Sequence, residues 1–300
     1  MGEEVIKSGA LYNDADKGRI YRITPTNSPP ADWTKGLSFG DATNDQLVEK
    51  LASPNIWWRM NAQRILLDRA NKEVVPMLIT MTNNPAFPLG RLHALWTLEG
   101  LGELKPEQIQ KALKDPVAGI RENAIKLAEL HLSGTPQLGN ALLSLQNDTD
   151  PKVRFQLVCT LGFLDTPEAT EVRHKILLQD IDDEWVQVAA LSASASQTST
   201  LLNFVLKNFL GSVPAYSSLV KRLTAMIGAS GDPIAIRQLI QNATRLESKD
   251  HAWQGPALDG LAQGIKDNKS AAAISETEQA LLIKTFFAHP SDAVIKASLR

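Results

Sequence analysis

The chain has 300 residues, is 43% hydrophobic and 21% charged, and carries a net charge of −2 with a pI near 6.2. That is the composition of an ordinary globular protein, and so mild an acidic balance gives no global pull toward nucleic acid or anionic lipid. Cys159 is the only cysteine, which excludes an intrachain disulfide, and no apolar run approaches the roughly eighteen residues that a membrane helix needs.

In chain order, Met1-Gly-Glu-Glu-Val-Ile-Lys7 has no apolar core of a secretory signal, and Ile6 stands where myristoylation calls for Ser or Thr. Gly18-Arg-Ile-Tyr-Arg-Ile23 alternates apolar and polar residues, the pattern of a short strand. A lone strand is not stable, so it is expected either to pair with another sheet or to be the remnant of an upstream β domain. Pro25, Pro29, Pro30, Gly36 and Gly40 follow and read as a linker. Residues 1–43 are therefore expected to form a linker with a remnant or edge strand over 18–23.

The pattern changes near Thr43. Thr43-Asn-Asp-Gln46 has the spacing of a capping box, and Leu47, Val48 and Leu51 make an apolar stripe behind it. Ser53-Pro54 breaks that stripe and a second helix follows through Trp57, Trp58, Arg59, Ala62 and Leu66. This second-helix pattern returns. Arg59, Arg91, Arg121 and Arg154 are 32, 30 and 33 residues apart, and Gln187 and Lys221 continue the series at 33 and 34. Three residues beyond each stand Ala62, Ala94, Ala124, Leu157, Ala190 and Thr224; one before stand Trp58, Gly90, Ile120, Val153, Val186 and Val220. Positions −1, +3 and +7 share one helical face, and small residues at +3 let helices approach closely, so this face is expected to be core. Short amphipathic first helices intervene, among them Pro106–Leu113, Pro136–Leu145, Pro167–Leu178 and 201–210, with Thr135 and Thr166 as N-caps.

The expected fold is all-α: an α-solenoid of about six to eight hairpins over residues 44–300, each unable to bury its apolar face alone. The pattern weakens toward the end, where Ala257–Ile265 is interrupted by glycines and Ser275-Glu-Thr-Glu278 offers another capping box. Pro290–Arg300 opens a further helix and stops, which reads as a piece of something longer.

Asp150-Pro-Lys-Val-Arg154 and Asp115-Pro-Val-Ala-Gly-Ile-Arg-Glu-Asn-Ala124 resemble the signature of HEAT repeats in their short HEAT-like form, over roughly residues 44–300. A narrower resemblance rests on the order of Gly18–Ile23, the Pro-rich linker, Ser53–Arg59 with Ala62-Gln-Arg64, and Arg91-Leu-His-Ala-Leu-Trp96. These are similar to the middle of the large "membrane-bound dehydrogenase" proteins of planctomycetes, which join a β-propeller, a HEAT array and a cytochrome c-type domain. The resemblance implies a secreted redox parent outside the cytoplasm, with 18–23 as the last propeller strand. Neither a propeller active site nor a Cys-x-x-Cys-His haem motif is present, so no catalytic residue and no cofactor carry over to this chain.

The residues themselves point to no reaction. His93, His131, His174, His251 and His289 lack metal-ligand spacing, no glycine-rich phosphate loop follows a strand, and no Gly-x-Ser-x-Gly elbow occurs. The aligned arginines are expected to bond turn carboxylates or carbonyls of a neighbouring repeat, for example Arg121 near Asp115 and Arg154 near Asp148 or Asp150. Trp57 and Trp58 admit two readings, a packed cap on the first repeat or an aromatic patch for a partner. The +5 column changes character freely (Arg64, Trp96, Lys126, Cys159, Ser192, Met226), which core positions do not. With second helices lining the concave side, as the resemblance implies, Arg64, His93, Trp96 and Lys126 are the candidate binding residues.

The function expected from all this is a non-catalytic scaffold that holds a protein or a neighbouring domain of its own parent chain. The alternatives are an enzyme on HEAT-like helices, such as a DNA alkylpurine glycosylase or a phycobilin lyase, and a free-standing adaptor. The glycosylase reading needs a basic groove with aromatics, against which the net charge argues.

Overall fold

A computed structural model describes residues 3–9, 25–27, 38–192, 197–245, 252–267 and 275–300. Two compact units are present, Met1–Ala42 and Thr43–Arg300. In the first, helix α1 spans Glu3–Lys7. The strand expected over 18–23 lies outside the described residues, as does most of the expected linker.

The second unit is an all-α solenoid of HEAT-like hairpins, with no strand among the described residues. Its helices are α2 (Asn44–Lys50), α3 (Ile56–Arg69), α4 (Val75–Thr82), α5 (Pro88–Gly100), α6 (Pro106–Ala112), α7 (Ala118–His131), α8 (Pro136–Leu143) and α9 (Pro151–Leu161). There follow α10 (Pro167–Gln179), α11 (Glu184–Leu191), α12 (Thr198–Lys207), α13 (Pro214–Ser230), α14 (Pro233–Ala243), α15 (Gln254–Asp267), α16 (Glu276–Ala288) and α17 (Asp292–Ser298). Taken in pairs, the described helices of this unit make eight hairpins.

Local chemistry sets the helix starts. Thr43 accepts from the Gln46 amide while Gln46 accepts from the Thr43 amide, a complete capping box for α2. Asn55, Asp150, Thr166, Asp183 and Asp232 cap α3, α9, α10, α11 and α14 through their side chains. Proline in the first turn opens seven of the described helices from α5 to α14, where its missing N–H costs nothing. Two expected caps differ. Thr135 makes no capping bond at α8, because its backbone is turned out of the extended geometry that caps require. Ser275 donates its hydroxyl to the Glu278 carboxylate instead of accepting from the α16 backbone.

Two layers result. The second helices α3, α5, α7, α9 and α11 pack successively side by side, and α13, α15 and α17 continue the pattern. The first helices cover them, and the core lies between, built from Leu47, Leu66, Leu78, Leu98, Ile109, Ile125, Leu138 and Leu142 among others. Ala62, Ala94 and Ala124 are completely buried, which is how neighbouring hairpins close up without a gap. The junction between α11 and α13 is looser, bridged by Arg222 to Glu184 at 3.3 Å and by Gln187 Nε2 to the Ala215 carbonyl at 3.4 Å.

The glycine-interrupted stretch near the end is one unbroken helix, α15. Its Gly260 and Gly264 face α13. A Cβ on Gly260 would run into the Lys221 carbonyl and Thr224 Oγ1, one on Gly264 into the Ala225 carbonyl, and one on Gly228 would lie 2.7 Å from the Leu261 carbonyl. The pattern that reads as decay is a close crossing of two backbones.

Candidate functional site

The second helices carry two kinds of face, one buried in a polar ladder and one open. The ladder is made by the aligned arginines, which point inward to the turns. Arg91 Nη1 donates to the carbonyls of Asn84 and Pro85, and its Nε and Nη2 hold both oxygens of Asp115 at 2.9 Å. Arg121 Nη1 donates to the Asp115 and Pro116 carbonyls, and its Nε and Nη2 hold Asp148 at 2.6 and 2.7 Å. Arg154 Nη1 donates to the Asp148 carbonyl, and the same edge of its guanidinium holds Asp180 at 2.7 Å. Asp115 and Asp148 thus each serve two repeats, with the carboxylate on the arginine before and the carbonyl on the arginine after.

Arg121 and Arg154 meet turn carboxylates of a neighbouring repeat, as expected, and those are Asp148 and Asp180. Of the aspartates expected beside them, Asp115 and Asp148 are met through their carbonyls. Burial alone would push Asp148 up, but the Arg121 hydrogen bonds, the Asp150 amide and the charges of Arg121 and Arg154 outweigh it and hold the carboxyl below its usual value. The hydrogen bonds to Asp148 and Asp180 raise Arg121 and Arg154.

At its ends the ladder changes chemistry. Gln187 replaces arginine and keeps only the carbonyl bond, to Ile181 at 2.8 Å. Arg59, also buried, keeps the bonds to the Ser53 and Pro54 carbonyls, but Nε donates to His93 Nε2 at 3.2 Å in place of a carboxylate. That bond makes Nε2 an acceptor, so the His93 proton sits on Nδ1, facing Gln63 Oε1 at 2.7 Å. Burial, and then the Arg59 charge, push His93 below its ordinary value.

The four residues singled out for binding fall on three successive second helices, and each is engaged within the chain. Arg64 on α3 is exposed and pairs with Asp68 at 3.5 Å. His93 is the half-buried acceptor of Arg59. Trp96 on α5 donates from Nε1 to Asn123 on α7 at 3.0 Å, and Lys126 on α7 pairs with Glu122 at 2.7 Å. None of the four lines the cavities of about 800, 550 and 450 Å³. Trp58, expected in the core column, is half-buried, packed edge-on against Trp57 with the Lys50 ammonium 5.2 Å from its ring.

The open face of the second helices carries apolar side chains that column counting by character missed. Positions −2 and +1 from the ladder hold Trp57 and Met60 on α3, Leu89 on α5, and Trp185 and Val188 on α11, all exposed. Trp185 is 71% exposed. These positions lie three apart, on one helical face, and the signal was present in the repeat spacing. Between them α7 offers the Glu122–Lys126 pair.

The largest of these cavities sits at the loose junction, among α10, α11, α12 and α13. Arg173 lines it from α10, in the midst of the buried stripe Ala169, Val172, Ile176 and Leu177. A charged residue inside an apolar stripe is a signal legible in sequence, and it was passed over.

Among the described residues no group of three or more His, Cys, Asp or Glu side chains is placed to hold a metal ion. No protein-family model and no curated protein sequence matches the chain. One part of the narrower resemblance is corrected: among the described residues no helix is long and apolar enough to cross a membrane, so the description "membrane-bound" does not carry over.

Proposed function

We propose that this chain is a non-catalytic helical scaffold, and that it holds a partner polypeptide against the open face of its second helices. The observation that carries this reading is the pairing of a stiff frame with a displayed apolar stripe. The ladder locks α5, α7 and α9 to their neighbours through buried, two-point ion pairs, while Met60, Leu89, Trp185 and Val188 face outward from the same layer. Exposed tryptophan and aliphatic side chains on a rigid surface are what protein interfaces use as anchors. Of the groove candidates Arg64, His93, Trp96 and Lys126, the charged Arg64 and Lys126 stand on second helices of the same layer and would supply polar contacts beside it.

The finer reading is that the partner is a neighbouring domain of a larger secreted redox protein. It is supported by the order of Gly18–Ile23, the Pro-rich stretch and the Trp57-Trp58 turn. Sequence on either side of this chain in its native gene decides it, a propeller before it and a Cys-x-x-Cys-His motif after it being the expected result.

The scaffold reading is tested by a photo-crosslinking residue placed at Trp185 and, as a control, at exposed Glu168 on the first-helix layer. One defined partner segment captured from Trp185 and not from Glu168 is expected. Equal capture at both positions, or none at Trp185, counts against the reading.

A further inference from the structure

Arg173 is the one buried arginine among those described here whose guanidinium Nε has no acceptor. Its side chain is 5% exposed. Nη1 donates to Gln197 Oε1 at 2.9 Å and Nη2 to the Ala190 carbonyl at 3.1 Å, at the end of α11, so both partners are neutral. Nε is buried and bonded to nothing. Among the described residues no carboxylate touches it, and Asp165 is reached only through the Gln197 amide. Burial pushes Arg173 down with no neighbouring acid to oppose it, the reverse of Arg121 and Arg154. A buried cation without a counter-charge is costly, and proteins pair such groups.

In this chain the pairing has a fixed form. At Arg91, Arg121 and Arg154 the guanidinium holds a carboxylate, whereas Arg173 has none, its Nε is enclosed without a partner, and its side chain lines a cavity of about 800 Å³. One wall of the cavity is apolar, made by Leu178, Leu201, Phe204, Leu223 and Met226, and Thr170, Lys175 and Thr200 are among its polar lining. His174 stacks on Phe204 with ring centroids 4.1 Å apart, and burial followed by the Arg173 charge keeps its imidazole below the ordinary value, hence neutral near pH 7. Asp165, Glu171 and Lys175 also line the cavity, so with Arg173 its charges balance, which suits one carboxylate better than a doubly charged phosphate. The volume and the mostly apolar lining are those of a small-molecule or chain-end site.

We infer that the cavity between the α10–α11 and α12–α13 hairpins binds a single carboxylate carried on an apolar body, its charge set against the Arg173 guanidinium. The site is separate from the open face of the second helices, so it stands or falls independently of the scaffold reading. One chemistry here has two sources, a free aliphatic acid or the C-terminus of an apolar peptide.

The test uses the full chain and titration calorimetry with four probes: decanoate, decanamide, the peptide Ala-Ala-Leu-Leu as free acid, and the same peptide as C-terminal amide. At least one acid is expected to bind, with its amide weaker by roughly tenfold or more, the worth of one charge-assisted hydrogen bond. Which acid binds identifies the source. Arg173→Met is expected to erase the preference for acid over amide. Because that change also strips an acceptor at the end of α11, Thr170→Trp provides a second variant that fills the cavity and leaves the guanidinium in place; it is expected to abolish binding. Equal binding of acids and amides, no binding of either acid, or unchanged acid binding by Thr170→Trp overturns the inference.

Discussion

Arg59 and Arg91 occupy the same position of successive repeats and meet different acceptors, a neutral imidazole and a carboxylate, and this difference sets how acid acts on the fold. His93 in the native state is held below its unfolded value, so between the two values the unfolded chain binds more protons and stability falls as pH drops below about 6.5. His174 adds to the same slope. His93→Gln retains an oxygen acceptor for Arg59 without a titrating group, and should flatten the fall in urea midpoint between pH 7 and 5; an unchanged slope would show that His93 is not its source. The carboxylates of the ladder act lower, where Asp148 loses its contribution as pH falls through its depressed native value. Asp148→Asn leaves the largely covered Arg121 without a counter-charge and should cost about 3 kcal/mol. Asp68→Asn at the exposed Arg64 pair should cost no more than about 0.5 kcal/mol, and similar losses at both sites would contradict the ladder. The arginine column was legible because spacing reveals it. Which carboxylate each arginine holds was not, since that depends on how one hairpin is stacked on the next, and no local pattern encodes it.

Helices were the most legible level, and for physical reasons that can be named. Asn55, Asp150 and Thr166 announce their helices by satisfying the first free amides, and proline follows wherever the first N–H is dispensable. Where the reading failed, at α15, glycine was taken for a helix weakener although it was making room for another backbone. Gly260→Ala should therefore cost about 3 kcal/mol, since the new methyl group meets main-chain carbonyl rather than a yielding side chain. Gly119 on α7 is an internal control, with nothing within 4 Å of an added Cβ. Gly119→Ala should raise stability by about 0.5 kcal/mol. Thermal or urea midpoints of the two variants that move in the same direction would refute this account of the crossing.

For the whole molecule the decisive place is the junction of α11 with α13. There the ladder has ended at Gln187, the second helices stand farther apart, and the cavity opens. Repeat arrays remain cooperative only as far as their interfaces are strong. Urea should consequently unfold the array in two steps, one for α2–α11 and one for α12–α17. Asp148→Asn should shift only the first and Gly260→Ala only the second. A single transition displaced by both variants would mean that the junction couples the halves fully. The number of hairpins could be counted from the sequence because each repeats the same apolar face. The weak junction could not, because it arises from what is missing at positions 173 and 187, a carboxylate at one and a guanidinium at the other.

The double duty of Asp115 and Asp148 also bears on how such a chain can change length. Excising residues 116–148 would join Asp115 to Thr149 and so put Asp115 six residues before Arg154, the same interval that separates Asp115 from Arg121 and Asp148 from Arg154. The Asp115 carboxylate would still receive Arg91, its carbonyl would now receive Arg154, and every remaining arginine of the ladder would keep its acceptors. Unequal recombination within this segment can therefore add or drop whole hairpins without stranding a charge in the interior, a freedom that ends where the aspartates do.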